Sequence, residues 1–81
     1  MIIAVHLWSY FREVAGRAVL EVEVGEGATV AAVLDEVYRR HPPLAAFRNS
    51  TLVAVGVDYQ GPGQVLQPAD EVSLFPPVQG G

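Results

Sequence analysis

The residues best placed for chemistry stand at positions 75–81, which read FPPVQGG. Pro76 and Pro77 remove two backbone donors and fix φ near about −65°, so neither a helix nor a central strand continues through them. Gly80 and Gly81 have no Cβ, and a narrow channel could therefore admit the backbone itself. The α-carboxylate of Gly81 is ionised and inert at neutral pH, and it becomes an electrophile only as an acyl-adenylate. The alternative is an unstructured chain end without a role.

Phe75 is the candidate binding residue beside this tail. In the alternation of the last predicted strand it shares a face with polar residues, so we expect its ring on the solvent side of the sheet. Exposed aromatic side chains dominate interface hot spots, which makes Phe75 a candidate docking anchor. The alternative is that a turn at Pro76 folds the ring onto the domain edge. Trp8 and Tyr10 could extend an exposed patch, although the usual burial of tryptophan favours Trp8 as an ordinary, partly buried core residue.

The remaining side chains predict no self-contained active site and no metal site. His6 lies in a predicted strand and His41 at a helix end, and neither has a spaced partner for metal binding. The serines lack the sequence context of a nucleophile elbow. Segment 25–27, GEG, lacks the further glycine and the lysine of a phosphate-binding loop. Because the chain has no cysteine, it can form no disulfide, no thiolate metal site and no cysteine nucleophile.

Composition predicts one folded domain. The chain has 81 residues, of which 51% are hydrophobic and 17% charged. Its net charge of −4 argues against nucleic-acid partners and favours neutral or basic protein surfaces. No apolar run approaches the roughly 20 residues that span a bilayer, and no secretory leader is recognisable. A soluble, cytoplasmic protein without a membrane partner is therefore expected. All five basic residues are arginine, so no lysine-linked polymer of the chain can form.

Hydrophobic periodicity predicts four strands. Residues 2–8 are apolar on both faces, as in a central strand. Residues 19–24 alternate between apolar and polar side chains. Residues 52–57 form an apolar, β-branched run, and residues 71–75 form the final strand. A bridge is possible at 65–66, while 61–63 and 68–70 have the composition of turns.

One amphipathic helix stands between the second and third strands. Thr29 can cap it, and Val30, Val33, Leu34 and Val37 have the spacing of one buried stripe. The prolines at 42 and 43 end this helix. Short helical turns are predicted at 9–15, closed by a glycine, and at 44–47. The order β, β, α, β, β predicts an α+β fold with one sheet and one main helix packed on it. Pattern alone does not say which strands pair.

The end of the chain closely resembles a known family. Segment 70–81, DEVSLFPPVQGG, is similar to the C-terminus of the MoaD-type small subunit of molybdopterin synthase, a ubiquitin-like sulfur carrier. A weaker resemblance extends over the whole chain and includes segment 12–16, REVAG. It implies a ubiquitin-like β-grasp domain at 1–75, a mixed sheet in which the first and last strands pair centrally. An extended tail at 76–81 would follow.

The resemblance also implies a function in molybdenum cofactor biosynthesis. A ubiquitin-activating-type adenylyltransferase would use ATP to adenylate Gly81, and this chain would bind no cofactor itself. A sulfur donor such as a cysteine desulfurase would convert the adenylate into a thiocarboxylate. The large synthase subunit would then admit the tail and use the sulfur for molybdopterin. In this scheme Gly80 permits entry, Pro76 and Pro77 hold the tail extended, and Phe75 anchors the interface.

Two departures from the family pattern keep other functions open. The turn at 68–70 reads PAD, where the family usually has glycine before the aspartate, and segment 55–58 reads VGVD, where an asparagine is common. Alternatives are a carrier for the thiamin thiazole or for a transfer-RNA base, a protein modifier, or a β-grasp interaction module with an inert tail. Segment 41–50 makes the chain longer than a minimal thiamin-type carrier, which favours the molybdopterin branch.

Overall fold

A five-stranded sheet with helices on one face is the framework of residues 1–77, the part of the chain that the computed structural model describes. The elements in chain order are β1 (Ile2–Leu7), α1 (Tyr10–Ala15), β2 (Val19–Glu23), α2 (Val30–Arg40), α3 (Pro42–Ala45), β3 (Leu52–Val55), β4 (Asp58–Tyr59) and β5 (Glu71–Phe75).

The first and last strands pair at the centre of the sheet. The strand order is β2-β1-β5-β3-β4, with β1 and β5 parallel and every other pair antiparallel. Val5 lies opposite Val72, and Leu7 lies opposite Leu74. This is the α+β, ubiquitin-like β-grasp topology that the resemblance implies, and the two-sided apolar character of β1 agrees with its central position.

The two faces of the sheet differ because side chains alternate along each strand. Ile3, Val5 and Leu7 of β1 point to the face that the helices cover, and all three are buried. From the other side, α2 contributes Val33 and Val37, which have no exposed surface. Leu34 is half-buried at the edge of the helical stripe. Within residues 1–77 no helix lies on the opposite face of the sheet, so its residues are open to solvent or to a partner.

The N-terminus of α2 is tied to the loop that follows β4, residues 60–65. Oγ1 of the N-cap residue Thr29 accepts from the amide of Ala32 at 3.4 Å. The amides of Val30 and Ala31, which cannot bond within the helix, donate to the carbonyls of Gln64 and Pro62 at 2.9 and 3.0 Å. Thr29 also pairs with residue 65 in an isolated bridge, which confirms the bridge predicted there.

The helix after α2 begins earlier than predicted. The prolines do end α2, but Pro42 and Pro43 themselves form the first turn of α3. Proline is favoured at this position because the missing amide has no helical partner there. The predicted turn at 44–47 is therefore displaced by two residues. Leu44 is buried as expected, and Phe47 is half-buried.

The strand predicted at 52–57 is too long. β3 ends at Val55, and Gly56 adopts a left-handed φ of 62° that reverses the chain into β4. Val57 lies at the tip of this hairpin and is 96% exposed. The run of β-branched residues continued through the turn, so the pattern concealed both the hairpin and the short strand that follows.

The predicted turn at 68–70 is present and uses an alanine in a glycine-like conformation. Ala69 has a φ of 72°, in the left-handed region that favours glycine. The carboxylate of Asp70 accepts from the amide of Gln67 at 2.8 Å and closes the turn. Alanine at this position therefore carries a conformational cost that glycine would not have. Within residues 1–77, no helix has the length and apolar character needed to cross a bilayer.

Candidate docking surface and tail root

Phe75, the last residue of β5, lies on the face of the sheet that carries no helix. Its ring is half-buried and stacks on Trp8 with centroids 5.9 Å apart and planes 9° apart. Tyr59 of β4 contacts the same ring edge-on, at 6.3 Å and 72°. Leu52 is opposite Phe75 on the neighbouring strand β3. These four residues are called the aromatic patch below.

The prediction that Trp8 is a partly buried core residue is wrong. Trp8 continues the alternation of β1 on its solvent face, and its amide donates to the carbonyl of Leu74 at 3.2 Å. Its side chain is 44% exposed because no helix covers this face. Trp8 therefore belongs to the aromatic patch, as the alternative expectation had it.

A strained residue separates Trp8 from the next aromatic. Ser9 has φ 55° and ψ −130°, a conformation that residues with a side chain rarely adopt. It turns the chain between Trp8, which stacks on Phe75, and Tyr10, which contacts Phe47 edge-on at 5.9 Å. Strain of this kind persists only where surrounding contacts fix it, and the two aromatic pairs supply those contacts.

An open, largely apolar groove, called the tail groove below, begins where the tail leaves the sheet. Phe47 anchors its wall to the core through the buried ring of Phe11, with centroids 5.5 Å apart. Both prolines of the predicted tail line the groove and are half-buried. The lining residues are Ser9, Tyr10, Phe47, Leu52, Tyr59, Phe75, Pro76 and Pro77.

The histidines and serines form no catalytic constellation within residues 1–77. Nε2 of His6 lies 2.8 Å from a carboxylate oxygen of Glu71, so this pair joins β1 to β5 on the solvent face. Ser73 faces His6 across the strands, but the imidazole contacts Glu71. His41 caps α2 through its backbone. Among the described residues no group of three acidic, histidine or cysteine side chains could hold a metal ion.

A cluster of ion pairs stabilises α2, and its residues are distant in the sequence from those of the aromatic patch. Arg39 and Arg40 donate to the carboxylate of Glu36, at 3.0 and 3.1 Å through their Nε atoms. The hydrogen bond from Arg39, followed by that from Arg40, lowers the pKa of Glu36 to about 2. Arg40 also donates to the carbonyl of Glu21 at 2.8 Å and so covers part of the open edge of β2.

The described residues therefore form a surface that suits the binding of another protein. Phe75 lies on the solvent side as predicted, while its role as an anchor stays a prediction. Pro76 and Pro77 stand at the root of the tail, and Gly80 and Gly81 lie outside the described residues. Sequence reasoning missed Tyr59 because it missed the hairpin that carries β4, and it missed Leu52 because the pairing of β3 with β5 leaves no local signal. Gly56 followed by two residues and a tyrosine was the signal that could have revealed the hairpin.

Comparison with known proteins places these features in a family. The model of the ThiS family matches residues 5–81. The molybdopterin synthase sulfur carrier subunit of Arabidopsis thaliana is 30% identical over 79 residues, which cover 98% of this chain and 82% of that protein. The subunit of the same name from Homo sapiens is 35% identical over 72 residues, 85% of this chain and 82% of the relative.

Among solved structures, SAMP1 from Haloferax volcanii, a small archaeal modifier protein, superimposes with a TM-score of 0.89. It is 30% identical, and the match covers 100% of each chain. The fold of this chain is thus similar to that of SAMP1, and its sequence is similar to the ThiS family and to the two carrier subunits.

Proposed function

The chain belongs to the ThiS family of small β-grasp proteins, and we propose that it is the sulfur-carrying small subunit of a molybdopterin synthase. One structural observation supports this most directly: the aromatic patch is continuous with the root of the tail. A protein that docks on Trp8, Tyr59 and Phe75 is placed next to Pro76 and Pro77, the last described residues before the Gly-Gly end. The near full-length similarity to two named sulfur carrier subunits supports the choice of pathway.

In the proposed cycle the carboxylate of Gly81 is the chemical group that this chain supplies. An activating enzyme joins it to the AMP moiety of ATP and releases pyrophosphate. The terminal sulfur of a persulfide donor, such as a cysteine desulfurase, then attacks the adenylate and displaces AMP. A thiol reduces the resulting acyl disulfide, which leaves a thiocarboxylate on Gly81. ATP belongs to the activating enzyme, and this chain contributes no cofactor site.

In the final transfer, the folded domain and the tail have different roles. The large synthase subunit binds the aromatic patch, with Phe75 as anchor. Pro76 and Pro77 keep the chain extended, because their fixed φ values disfavour a helical return. Gly80 lets the enzyme close around the backbone, because it has no side chain. The partner's active site receives the thiocarboxylate and uses its sulfur to build molybdopterin.

Pyrophosphate exchange tests the activation step. With ATP and the cognate activating enzyme, the chain should promote exchange of labelled pyrophosphate into ATP, and removal of Gly81 should stop it. Mass spectrometry of the protein from its native host should show a fraction in which sulfur replaces one oxygen. No exchange with any activating enzyme of the host would contradict the carrier function.

Protein modification is the second candidate, and the similarity to the archaeal modifier SAMP1 favours it. In that case the activated Gly81 would react with a lysine amine of another protein and form an isopeptide bond. The two functions predict different products in the same host. Proteomic search for lysines that carry residues 72–81, the remnant left by a glutamate-specific protease that cuts after Glu71, tests for modification, whereas co-purification with a large synthase subunit supports the carrier. Conjugates without such a complex would favour modification.

A further inference from the structure

A second concave surface lies between α2, β3 and the 60–65 loop, and we call it the helix groove. It shares Leu52 and Tyr59 with the tail groove, while its other lining residues are distinct. Leu34 from α2 and Pro62 from the loop form apolar parts of the wall, and Arg48 and Gln60 supply polar atoms. Apart from Leu52 and Tyr59, which also belong to the aromatic patch, the residues of the helix groove have no part in the proposed function.

Hydrogen bonds fix the walls of the helix groove. The amide of Gln60 donates to the carbonyl of Val53 at 3.0 Å, which holds the start of the loop against β3. The bond from Ala31 to the carbonyl of Pro62 holds the loop against α2. On the remaining side, Thr51 donates through its hydroxyl to the carbonyl of Phe47 at 2.8 Å. The groove is therefore preformed, and a ligand need not order its backbone.

Arg48 gives this groove a positioned positive charge. Its guanidinium carbon lies 5.4 Å from the centroid of the Tyr38 ring, a cation–π arrangement that restricts the side chain. Arg39 and Arg40 are both paired with Glu36, whereas Arg48 forms no ion pair within residues 1–77. A carboxylate is the complementary group, because guanidinium donors match its two oxygens.

We propose that the helix groove binds an extended segment of a partner protein that carries an apolar side chain next to a carboxylate. The apolar side chain packs between Leu34 and Leu52, and the carboxylate pairs with Arg48. Nucleic acid does not suit the site, because Arg48 is the one charged residue that lines it and a row of phosphates needs several cations. The charge of Arg48 therefore favours an acidic peptide over a neutral one.

Two blocked pentapeptides test the proposal: acetyl-Ser-Leu-Glu-Leu-Ser-amide and its counterpart with Gln in place of Glu. Each is titrated into the full-length, isotope-labelled protein and followed by two-dimensional NMR. Amide shifts are expected at Leu34, Arg48 and Gln60. The Glu peptide should bind about two- to fivefold more tightly, the range for a partly exposed ion pair.

Substitutions separate the charge from the apolar contact. Arg48→Gln should remove the preference for the Glu peptide, and Arg48→Lys should retain part of it. Arg17→Gln is the matched control, since Arg17 is exposed and does not line the groove. Leu34→Ser should weaken both peptides equally, and the dispersion of the NMR spectrum reports the folding of each variant. Equal affinity for both peptides, shifts confined to Trp8 and the tail groove, or no shifts at millimolar peptide would overturn the proposal.

Discussion

The ring of Trp8 lies parallel to the ring of Phe75, with 5.9 Å between their centroids. Trp8 directly follows β1, and Phe75 ends β5. Because these strands are parallel neighbours, their C-terminal ends meet at the same edge of the sheet. The stack is therefore a product of the central strand pairing, and it places an aromatic surface at the residue where the tail begins.

Replacement of Phe75 by alanine should weaken binding of the large synthase subunit by about 2 kcal/mol or more, as for an interface hot spot. The free energy of unfolding should fall by less than the roughly 3–5 kcal/mol of a buried phenylalanine, because the Phe75 ring is half-buried on the solvent face. Isothermal titration calorimetry and thermal unfolding measure the two effects on the same sample.

Leu74→Ala is the matched control for Phe75→Ala. Leu74 is the preceding residue in β5 and is only 1% exposed on the core face. We expect this substitution to cost about 2–5 kcal/mol of stability and to spare the docking surface where the chain remains folded. If Phe75→Ala destabilised the protein as much as Leu74→Ala, the docking role of Phe75 would be wrong.

Deletion of Gly81 should abolish sulfur transfer and leave folding and partner binding nearly unchanged. The truncated carboxylate, now on Gly80, stops roughly 3.3–3.6 Å short of its former position. A displacement of even about 1 Å can cost on the order of a hundredfold in rate when reacting atoms must be aligned. The stability change should lie within about ±0.5 kcal/mol.

Circular dichroism, partner affinity and sulfur transfer should all be measured on that truncated protein. Retained transfer would refute the role of Gly81. Loss of folding would instead show that the tail is structural.

Glu36→Gln should lower the melting temperature at neutral pH, and the difference from the parent should vanish near pH 2. The hydrogen bonds from Arg39 and Arg40 hold the pKa of Glu36 at about 2 in the folded chain, below the ordinary value of 4.5. A carboxyl group whose pKa is lower in the folded than in the unfolded state stabilises the fold at a pH above its unfolded pKa. This stabilisation is lost as the pH falls through the folded pKa. The loss should therefore occur between pH 4.5 and about 2.

Thermal unfolding of both proteins across that range measures the effect of Glu36. Glu13→Gln on α1 is the control, because Glu13 is exposed and forms no ion pair within the described residues. A difference that persisted unchanged at pH 2 would show that the ion pairs with Glu36 are not its source.

Ser9→Gly should stabilise the chain by up to about 1–2 kcal/mol. Glycine relieves the cost of the positive φ at this position, about 1–3 kcal/mol, and loses about 0.5–1 kcal/mol through greater freedom of the unfolded chain. Chemical denaturation measures the change. Ala46→Gly is the matched control, since Ala46 has an ordinary φ of −62° and should lose stability. Destabilisation by Ser9→Gly would mean that its backbone carries little strain.

The sequence predicted those parts of the fold that periodicity encodes. β2 and α2 show one clear apolar face each, and Gly16 closes the short helix α1 with a φ of 73°. The central pairing of β1 with β5 came from family resemblance, because pairing between strands at opposite ends of the chain leaves no local signal. The hairpin at Gly56 was not predicted, because its apolar residues continue the pattern of β3 through the turn.

The candidate site was predictable only in part for the same reason. Phe75 could be placed on the solvent face by counting along one strand. Trp8 was wrongly expected in the core, because its exposure depends on which face the helices cover. Tyr59 and Leu52 join the patch through tertiary contact alone. The helix groove arises from the hydrogen bonds of the 60–65 loop to α2, which no short stretch of sequence specifies.

The central position of β5 also determines how the domain responds to force. A pull on Pro76, directed along the strand, loads the hydrogen bonds of β5 to both β1 and β3 at once. These bonds lie across the direction of pull and must break together in shear, whereas a strand peeled from an edge would lose them one at a time. An enzyme that pulls on the tail must therefore apply a large force before the domain unfolds.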